Sequence, residues 1–573
     1  MELRFVGLKT TYFSRLFLQI GVPMENPPAS SQSPLSVPLF RNAWITGILA
    51  HMALLVQGVA VAWQMVEIAP SESMVAWVQS AIYLPMMLLS IPAGAIADLF
   101  NKKHVSLIGM VLAATSGSVL FSLSWLELQT PATLLALCSL TGTGIALYDP
   151  AWQTAVPAIV SSEQLPRAIA LRSMSQNLAR AIGPAFAGLV IAWFGGEAAF
   201  LAAAALFLPT IIVLLGWTYN ALPVRLPPER IDKAIVTGIR FVKNSPATRI
   251  IVIRGFLMGS MGVGLLALMP LAAKNIIQGD SIDYGLLLCA FGVGAVFGAK
   301  LMSSLQPKLG GEKLLMLSMP ALSAGALAMA HITDVLLLAP ILLLAGMGWL
   351  TTFATLNVSV QTISPKWVMG RTLSTYAAAT TGGMVTGSLV WGEFVTLFGI
   401  SNTLTLVGVS LLVAVVMGRW LPMPDHLGPA HPIPGPAPNI PLALDITHRS
   451  GPIAIEQQYR IPPAAARRFY RVMQRMERHR KRNGAYDWSI SRDITNEALW
   501  LERFHLPTWL DFLRLPDRAT NRDEKLWHEV NNLIEPESLI TTRYWLERPL
   551  GSVRWNEDVL DTSAGETGPR HYE

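Results

Sequence analysis

The ionisable side chains in or near the ends of long apolar segments of this sequence include His51, Asp149, Arg180 and Glu393. Carboxylates and imidazoles can take up and release protons, and a guanidinium can bind an anion or pair with a carboxylate. Because ionisable groups are costly at hydrocarbon depth, we interpret each of the four as a candidate for binding a substrate or a proton. Asp149 and Arg180 could also pair with each other. For Asp149 and Glu393, the alternative interpretation is an interfacial position close to a helix end.

Polar residues also concentrate in the short interval between two apolar segments, at Gly94, Asp98, Asn101, Lys102 and Lys103. Asparagine tolerates the left-handed backbone conformation of a tight turn better than most residues, so Asn101 is predicted to allow such a turn. An aspartate favours a nearby helix N-terminus, and a salt bridge at a hinge can bias an element between two arrangements. We therefore predict that the glycine, the aspartate and the two lysines act in gating. Alternatively, the lysines only add positive charge on the inner side of a membrane.

The composition is that of a membrane protein with a soluble appendage. Of the 573 residues, 52% are hydrophobic and only 14% are charged, whereas soluble domains carry about 25% charged residues. Residues 41–421 are strongly apolar, and residues 446–573 have an ordinary soluble composition. Both cysteines, Cys138 and Cys289, fall in apolar runs, which argues against a disulfide framework and against a thiolate metal site. No metal or other cofactor is predicted.

Hydropathy predicts twelve membrane-spanning helices, because an α-helix needs about 20 apolar residues to cross the hydrocarbon core. The predicted spans are residues 44–66, 74–96, 105–125, 132–151, 177–194, 198–217, 251–273, 285–305, 314–330, 335–358, 375–398 and 403–421. The predicted fold class of this region is therefore an all-α polytopic membrane protein.

The charges of the loops between these spans predict the orientation. One set of alternate loops is basic and holds Lys102, Lys103, Arg167, Arg172, Arg225, Arg230, Lys233, Arg240, Lys243, Arg249, Lys308, Lys313, Lys366 and Arg371. The opposite set is acidic and holds Glu67, Glu72, Glu127, Glu197, Asp280, Asp283 and Asp334, with Lys274 as its one basic residue. By the positive-inside rule, both termini and the Asp98 interval are predicted to lie in the cytoplasm.

Two halves of the apolar region share an ordered set of residues. The matches pair Gln153, Thr154, Pro157, Arg167, Gly183, Gly188, Phe194 and Gly195 with Gln361, Thr362, Pro365, Arg371, Gly387, Gly392, Phe398 and Gly399. Equivalent positions with the same orientation predict parallel repeats of six helices, and carriers built this way bind substrate near the midplane between the repeats.

Glycine removes side-chain bulk and proline bends a helix. Gly183, Pro184, Gly188, Gly387 and Gly392 are therefore predicted to line contacts between rocking helices, the alternative being ordinary tight packing.

These motifs resemble those of the major facilitator superfamily. The Asp98 interval resembles its signature loop Gly-x-x-x-Asp-x-x-Gly-Arg-Lys, with Asn101 in place of the second glycine and Lys102 in place of the arginine. Residues 148–153 and 177–184 resemble the enterobactin-exporter-like branch called transmembrane secretion effectors. The resemblance implies a secondary active transporter that exports a siderophore, an antibiotic or a similar small molecule by alternating access. It also implies protons as the coupling ion and the bacterial inner membrane as the location.

The C-terminal region is predicted to form a compact α+β domain. Its pattern over residues 449–550 predicts the order strand-helix-strand-strand-helix-strand, which is typical of a ferredoxin-like fold. The region resembles the dimeric α/β-barrel domains typified by antibiotic-biosynthesis monooxygenases, a resemblance that allows dimerisation through this domain. One predicted helix is strongly basic, with Arg467, Arg468, Arg471, Arg475, Arg478, Arg480, Lys481 and Arg482. A solvated face is the simplest interpretation of this helix and acidic lipid is the next, and nucleic acid is not expected to bind.

The sequence divides into seven regions. They are a flexible N-terminal tail (1–40), a six-helix half (41–220), a connector (221–249), a second six-helix half (250–421), a Pro-rich linker (422–448), the ferredoxin-like domain (449–550) and a tail (551–573). The connector is predicted to be either an amphipathic helix on the inner membrane surface or a solvated link.

Two rival functions remain open: a C-terminal enzyme or sensor that acts on the cargo, and a scaffold without transport. His505, Trp488 and Asn496 are of the types that a cofactor-free oxygenase uses, although their spacing is not diagnostic.

Overall fold

The computed structural model describes residues 33–161, 163–218, 231–365, 367–424, 440, 443–444, 446–518, 521–535 and 540–547. The predicted N-terminal tail lies mostly outside these residues, as do most of the Pro-rich linker and the whole C-terminal tail.

Helices make up the apolar region. Its first half contains α1 (Pro38–Ile68), α2 (Glu72–Leu99), α3 (Lys102–Trp125), α4 (Pro131–Ala155) and α5 (Leu165–Gly216). After the connecting helix α6 (Ile231–Asn244), the second half contains α7 (Pro246–Asn275), α8 (Ser281–His331), α9 (Val335–Ile363), α10 (Met369–Phe398) and α11 (Ile400–Val416). Three of these helices begin with a proline, at Pro38, Pro131 and Pro246. The first helical position suits proline because its missing N–H would have had no partner there.

Glycines with positive φ separate membrane spans that follow each other without a loop. The helix α5 changes direction at Gly195, where φ is 84°, and α8 changes direction at Gly310, where φ is 77°. Gly399, with φ of 77°, separates α10 from α11 in the same way. Glycine adopts this conformation at little cost because it has no Cβ. The sequence match between Gly195 and Gly399 therefore corresponds to a shared backbone conformation in the two halves.

The described helices account for the predicted spans. Ten helical segments are long and apolar enough to cross a membrane among the residues that the structure describes. The two other predicted spans also coincide with helix, one in the part of α5 before Gly195 and one in α10. The helix α10 is rich in threonine, serine and glycine, which lowers its hydropathy. The mostly helical membrane fold that the sequence predicts is confirmed.

Four loops define what we call the acidic end of the helical bundle, at residues 69–71, 126–130, 276–280 and 332–334, and the opposite end is the basic end. The two halves contact each other in the part of the bundle that lies near the acidic end. The helices α5 and α8 meet at Gly188 and Gly285, so closely that a Cβ added to Gly188 would lie 2.4 Å from the Gly285 Cα. Likewise α2 and α10 meet at Gly392, where an added Cβ would lie 3.1 Å from the Ser73 carbonyl oxygen.

Side chains add to this closure of the acidic end. The Trp63 and Tyr284 rings stack with their centroids 5.7 Å apart. The Asn275 amide donates to the Glu72 carboxylate across 2.9 Å. Both contacts join the first half to the second and close the space between the halves at the acidic end.

The soluble domain has the predicted order of elements. It contains β1 (Ile453–Arg460), α12 (Ala466–Arg482), β2 (Tyr486–Arg492), β3 (Leu499–Leu506), the short helices α13 (Trp509–Leu513), α14 (Leu515–Arg518) and α15 (Asn521–Asn531), and β4 (Thr541–Leu546). The four strands form an antiparallel sheet in the order β2-β3-β1-β4. One face of α12 covers this sheet with Phe469, Val472, Met473 and Met476, all of which are buried. Their spacing of three and four residues is what places them on one face.

The soluble domain contacts the basic end of the bundle through α6 and the loop between α9 and α10. The Arg482 guanidinium lies 5.8 Å from the Phe241 ring centroid, and the Arg518 guanidinium lies 4.9 Å from the Trp367 ring centroid. Trp367 and Phe241 in turn pack edge to face at 5.8 Å. The predicted connector is thus a helix whose Phe241 side is buried against protein, whereas Ile239 is exposed.

Candidate functional site

Three of the four ionisable candidates come together where α1, α4 and α5 pack. The Asp149 carboxylate has its Oδ1 atom 3.2 Å from His51 Nε2 and 3.4 Å from the Arg172 guanidinium. Arg180 is close enough to Asp149 to interact with it electrostatically. A small cavity beside this cluster is lined by Phe40, Ala43, Trp44, Gly47, His51, Tyr148, Trp152, Arg172 and Ser175. The cluster is a polar site inside the apolar bundle.

Hydrogen bonds give the His51 ring a partner in each of two protonation states. Its Nδ1 atom lies 2.7 Å from the Gly47 carbonyl oxygen, which can only accept, so Nδ1 carries a hydrogen. When Nε2 is also protonated, it donates to Asp149 across 3.2 Å. When Nε2 is unprotonated, it can accept from the Gln176 amide 3.3 Å away, and Asp149 keeps Arg172 as its counter-charge. The cluster can therefore bind and release one proton while its polar groups stay paired.

Arg180 lies between this cluster and the second half. Its side chain is exposed on α5 and interacts electrostatically with Tyr83 of α2 and Tyr376 of α10. A guanidinium presents several N–H donors in a fixed plane, which suits an anionic or carboxylate-bearing ligand. The ion pairs of Asp149 are made with His51 and Arg172, so the predicted link between Asp149 and Arg180 is a longer-range electrostatic one.

Arg172 and Gln176 were not predicted as site residues. Arg172 counted only as a loop charge, because the predicted span begins at residue 177 whereas α5 begins at Leu165. The spacing of Arg172, Gln176 and Arg180 is four residues each time. Residues at this spacing lie on one face of a helix. That periodicity was the signal that could have identified them.

The two predicted gating lysines tie the start of α3 to the ends of other helices. Lys102 Nζ donates to the Thr154 carbonyl oxygen in α4, and Lys103 Nζ donates to the Leu215 carbonyl oxygen in α5, each across 2.9 Å. Carbonyl groups at helix C-termini carry partial negative charge, so both contacts are favourable. Asn101 does not adopt the predicted left-handed conformation: its φ is −63° and its side chain caps α3 by accepting from the Lys103 N–H. The cap satisfies a free helix N–H, and no left-handed turn is needed.

Three other predicted site residues lie apart from the cluster or are incompletely described. Gly94 and Asp98 belong to α2 near its basic end, and their side-chain surroundings lie outside the described part of the structure. Glu393 is exposed on α10, close to the acidic end. Roles for these three residues in gating, proton binding or substrate binding stay predictions.

The predicted rocking glycines fall into two groups. Gly188 and Gly392 lie in the contacts between the two halves, against Gly285 and Ser73. In contrast, Gly183 and Gly387 lie within the halves: an added Cβ would approach Leu55 of α1 within 3.1 Å in the first case, and the Ser260 carbonyl of α7 within 2.1 Å in the second. The neighbouring Pro184 is buried in α5. Gly188 and Gly392 therefore have the placement that a rocking contact requires.

A separate network of charges is buried in the soluble domain. Glu502, with no exposed surface, accepts hydrogen bonds from the Arg480 guanidinium at 3.0 and 3.1 Å. The Tyr459 hydroxyl and the Trp488 indole N–H donate to the same carboxylate across 2.7 and 2.8 Å. Arg480 also lies 4.4 Å from the Phe504 ring centroid. These side chains fill the space between the sheet and its covering helices.

The three residues of oxygenase type do not converge on one point. Trp488 belongs to the Glu502 network, His505 lies 2.9 Å from the Glu547 carboxylate, and Asn496 accepts from a backbone N–H in the loop before β3. Within the described ranges, no group of three or more His, Cys, Asp and Glu side chains could hold a metal ion. The soluble domain thus shows no assembled catalytic group among its described residues.

Comparisons with known proteins agree with this architecture. The family described as transmembrane secretion effector matches residues 29–549. The staphyloferrin A transporter of Staphylococcus aureus is 23% identical over 331 residues, which cover 57% of this chain and 82% of the relative. The enterobactin exporter EntS of Shigella boydii is 28% identical over 404 residues, which cover 66% of this chain and 92% of the relative.

Solved structures show the same fold in the membrane region. A bacterial homologue of the human lysosomal transporter Spinster, in an inward-facing and unoccupied conformation, superimposes with a TM-score of 0.51 at 14% identity, covering 68% of this chain and 96% of that chain. A POT family transporter in complex with a thioalcohol-conjugated peptide superimposes with a TM-score of 0.53 at 13% identity, covering 67% of this chain and 96% of that chain.

Proposed function

The chain belongs to the transmembrane secretion effector family of the major facilitator superfamily, and on this basis we propose that it exports a small organic molecule in exchange for protons. Two relatives carry the names of siderophores, so a siderophore or a compound of similar size and polarity is the proposed cargo. The basic end and the soluble domain face the cytoplasm of a bacterium in this proposal, because cytoplasmic loops are enriched in lysine and arginine. Cargo then enters from the basic end, because the contacts between the halves close the acidic end.

The single observation that carries proton exchange is the pairing of His51 with Asp149. Its two protonation states both have hydrogen-bond partners, and they differ by one charge. This charge changes beside Arg180, the group best placed to attract an anionic part of the cargo. Proton binding and cargo binding are thereby linked energetically, as an exchanger requires.

Transport in reconstituted vesicles tests the proposal. Purified protein is incorporated into proteoliposomes with enterobactin or staphyloferrin A on the basic-end side, and a pH gradient is imposed. We expect uptake that depends on the gradient and that a protonophore abolishes. Movement that is absent for both compounds, or that ignores the protonophore, would contradict the proposed function.

The variant Asp149→Asn separates proton coupling from cargo binding. The amide of asparagine still offers an acceptor oxygen, but it lacks the negative charge that stabilises protonated His51, so gradient-driven transport is expected to fall about 100-fold. Exchange of labelled for unlabelled cargo, which needs no net proton movement, is expected to continue. Glu163→Gln is the matched control, since Glu163 is an exposed loop carboxylate at the same end of the bundle. Equal transport by both variants would remove the assignment of the proton site.

A further inference from the structure

A groove on the soluble domain lies between the N-terminal half of α12 and the strands β2 and β3. It has a volume of about 410 Å³, which is within the range of small-molecule sites, about 300–1,000 Å³. Its lining consists of Ala466, Arg467, Tyr470, Arg471, Arg492 and Trp500. Three arginines and two aromatic residues thus converge on one concave surface.

The positive charge of this groove is only partly balanced by carboxylates. Arg492 has the Glu497 carboxylate 3.9 Å from its guanidinium, and on the rest of α12 Arg475 pairs with Glu529 and Lys481 with Glu477. Arg467 and Arg471 are exposed, and neither has a carboxylate partner in the described ranges. The groove is therefore suited to an anion.

The aromatic residues add a flat apolar surface. Tyr470 is 45% exposed, and the Trp500 ring forms the floor with 8% exposure. The Arg492 guanidinium is held 5.4 Å from the Trp500 ring centroid, while its Nε donates to the Glu497 carbonyl oxygen across 2.7 Å. The indole N–H of Trp500 is buried and has no acceptor among the described residues. A ligand that meets the arginines and the aromatic surface of this groove would combine a planar ring with a negative charge.

We propose that this groove is a binding site for a planar aromatic anion, such as an aromatic carboxylate. Guanidinium groups bind carboxylates through paired N–H donors and stack on aromatic faces, so Arg467, Arg471 and Arg492 suit both parts of such a ligand. Arg468 and Arg478 belong to the same helix and do not line the groove. The three lining arginines therefore form a pocket within the general basic surface of α12.

Calorimetric titration of the full chain in phosphatidylcholine nanodiscs tests this site with 2-naphthoate as the probe. We expect saturable binding, about tenfold weaker for the neutral 2-naphthamide and for the non-aromatic cyclohexanecarboxylate. The double variant Arg467→Gln/Arg471→Gln is expected to lose at least that factor of about tenfold. The single variant Arg478→Gln, an exposed arginine of α12 outside the groove, is the control and should bind like the parent.

Three results would overturn the proposal. Equal binding of 2-naphthoate and cyclohexanecarboxylate would show that the aromatic residues do not select the ligand. Unchanged binding by the double variant would place the site elsewhere. Loss of binding in nanodiscs that contain phosphatidylglycerol, with binding in phosphatidylcholine alone, would show that acidic lipid is the occupant of the groove. The measurement involves no transport, so its outcome is independent of the proposed export function.

Discussion

Glu502 is a fully buried carboxylate at the centre of a charge network inside the soluble domain. Its burial alone would raise the pKa, but Arg480 and the hydrogen bonds from Tyr459 and Trp488 hold the pKa of this carboxyl below its usual value. A carboxyl group with a depressed pKa stabilises the fold above its unfolded pKa of about 4.3, and that stabilisation is lost as the pH falls through the folded pKa. The network therefore contributes fully at neutral pH.

The variant Glu502→Gln leaves the Arg480 guanidinium buried without its counter-charge. Breaking one partner of a buried pair costs about 3–5 kcal/mol, so we expect a loss of this size in the opening free energy of β1 and β3. Hydrogen exchange of the full chain, read by mass spectrometry, measures it. Glu529→Gln, which removes the exposed partner of Arg475, should change the same quantity by less than about 1 kcal/mol. Equal effects of the two variants would contradict the network's role.

A second prediction at this scale concerns Asp98. If this carboxylate biases a hinge between two arrangements, Asp98→Asn is expected to reduce cargo transport about tenfold or more while expression and membrane insertion stay normal. Transport in proteoliposomes measures the effect, with Glu163→Gln as the control carboxylate. Transport at the parent rate would remove Asp98 from the gate.

Single residues were predictable where they broke a pattern. His51, Asp149 and Arg180 stood out because each interrupts an apolar run, and the structure brings them together. Gln176 did not stand out, because a neutral amide among small polar residues disturbs hydropathy little. Its role depends on a side-chain distance across α1 and α5, which hydropathy does not contain.

At the scale of elements, the contact between α5 and α8 is a place where two backbones touch. Gly188 and Gly285 face each other in this contact. A Cβ added to either glycine would lie within 2.6 Å of the Cα of the other. Distances below 3 Å are repulsive, so any side chain here must push the helices apart. The glycines permit the closed acidic end.

The variant Gly188→Ala is therefore expected to shift the population towards a state with the acidic end open. Spin labels at Leu128 and Leu336, which are exposed at the acidic end of the first and second halves, report this as a longer distance distribution. Gly216→Ala is the matched control, because a Cβ there would meet no atom within 4 Å. A parent-like distribution in Gly188→Ala would show that the contact does not limit closure.

Most helices and strands were predictable from the spacing of apolar residues and from the glycines and prolines that end these elements. The order of strands and helices predicted for residues 449–550 is the order in which β1, α12, β2, β3, the helices α13 to α15 and β4 follow each other. The start of α5 was less evident, because hydropathy marks the apolar stretch and not the helical turns before it. The helix begins at Leu165, twelve residues before the predicted span at residue 177.

At the scale of the whole molecule, loop charge predicts which end of the bundle faces the cytoplasm. In a background of Cys138→Ala and Cys289→Ala, the variant Leu128→Cys places a thiol at the acidic end and Lys308→Cys places one at the basic end. An impermeant maleimide is expected to label the first in intact cells and the second only after permeabilisation. The reverse pattern would invert the proposed direction of transport.

The position of the soluble domain against the bundle was not predictable from the sequence. It depends on Arg482 and Arg518 meeting Phe241 and Trp367, which are contacts between residues more than one hundred positions apart. Hydropathy and repeats describe each part by itself. They contain no information on which exposed arginine of one part meets which aromatic ring of the other.

The continuous helix α12 has a consequence for the supply of molecules to the bundle. Its 17 residues span about 25 Å, with the arginine groove near one end and the contact with Phe241 at the other. A compound released from the groove starts within about that distance of the basic end of the bundle, so its capture by the carrier competes directly with its escape into bulk solution. The soluble domain would then act as a local reservoir that sets how often the carrier is loaded.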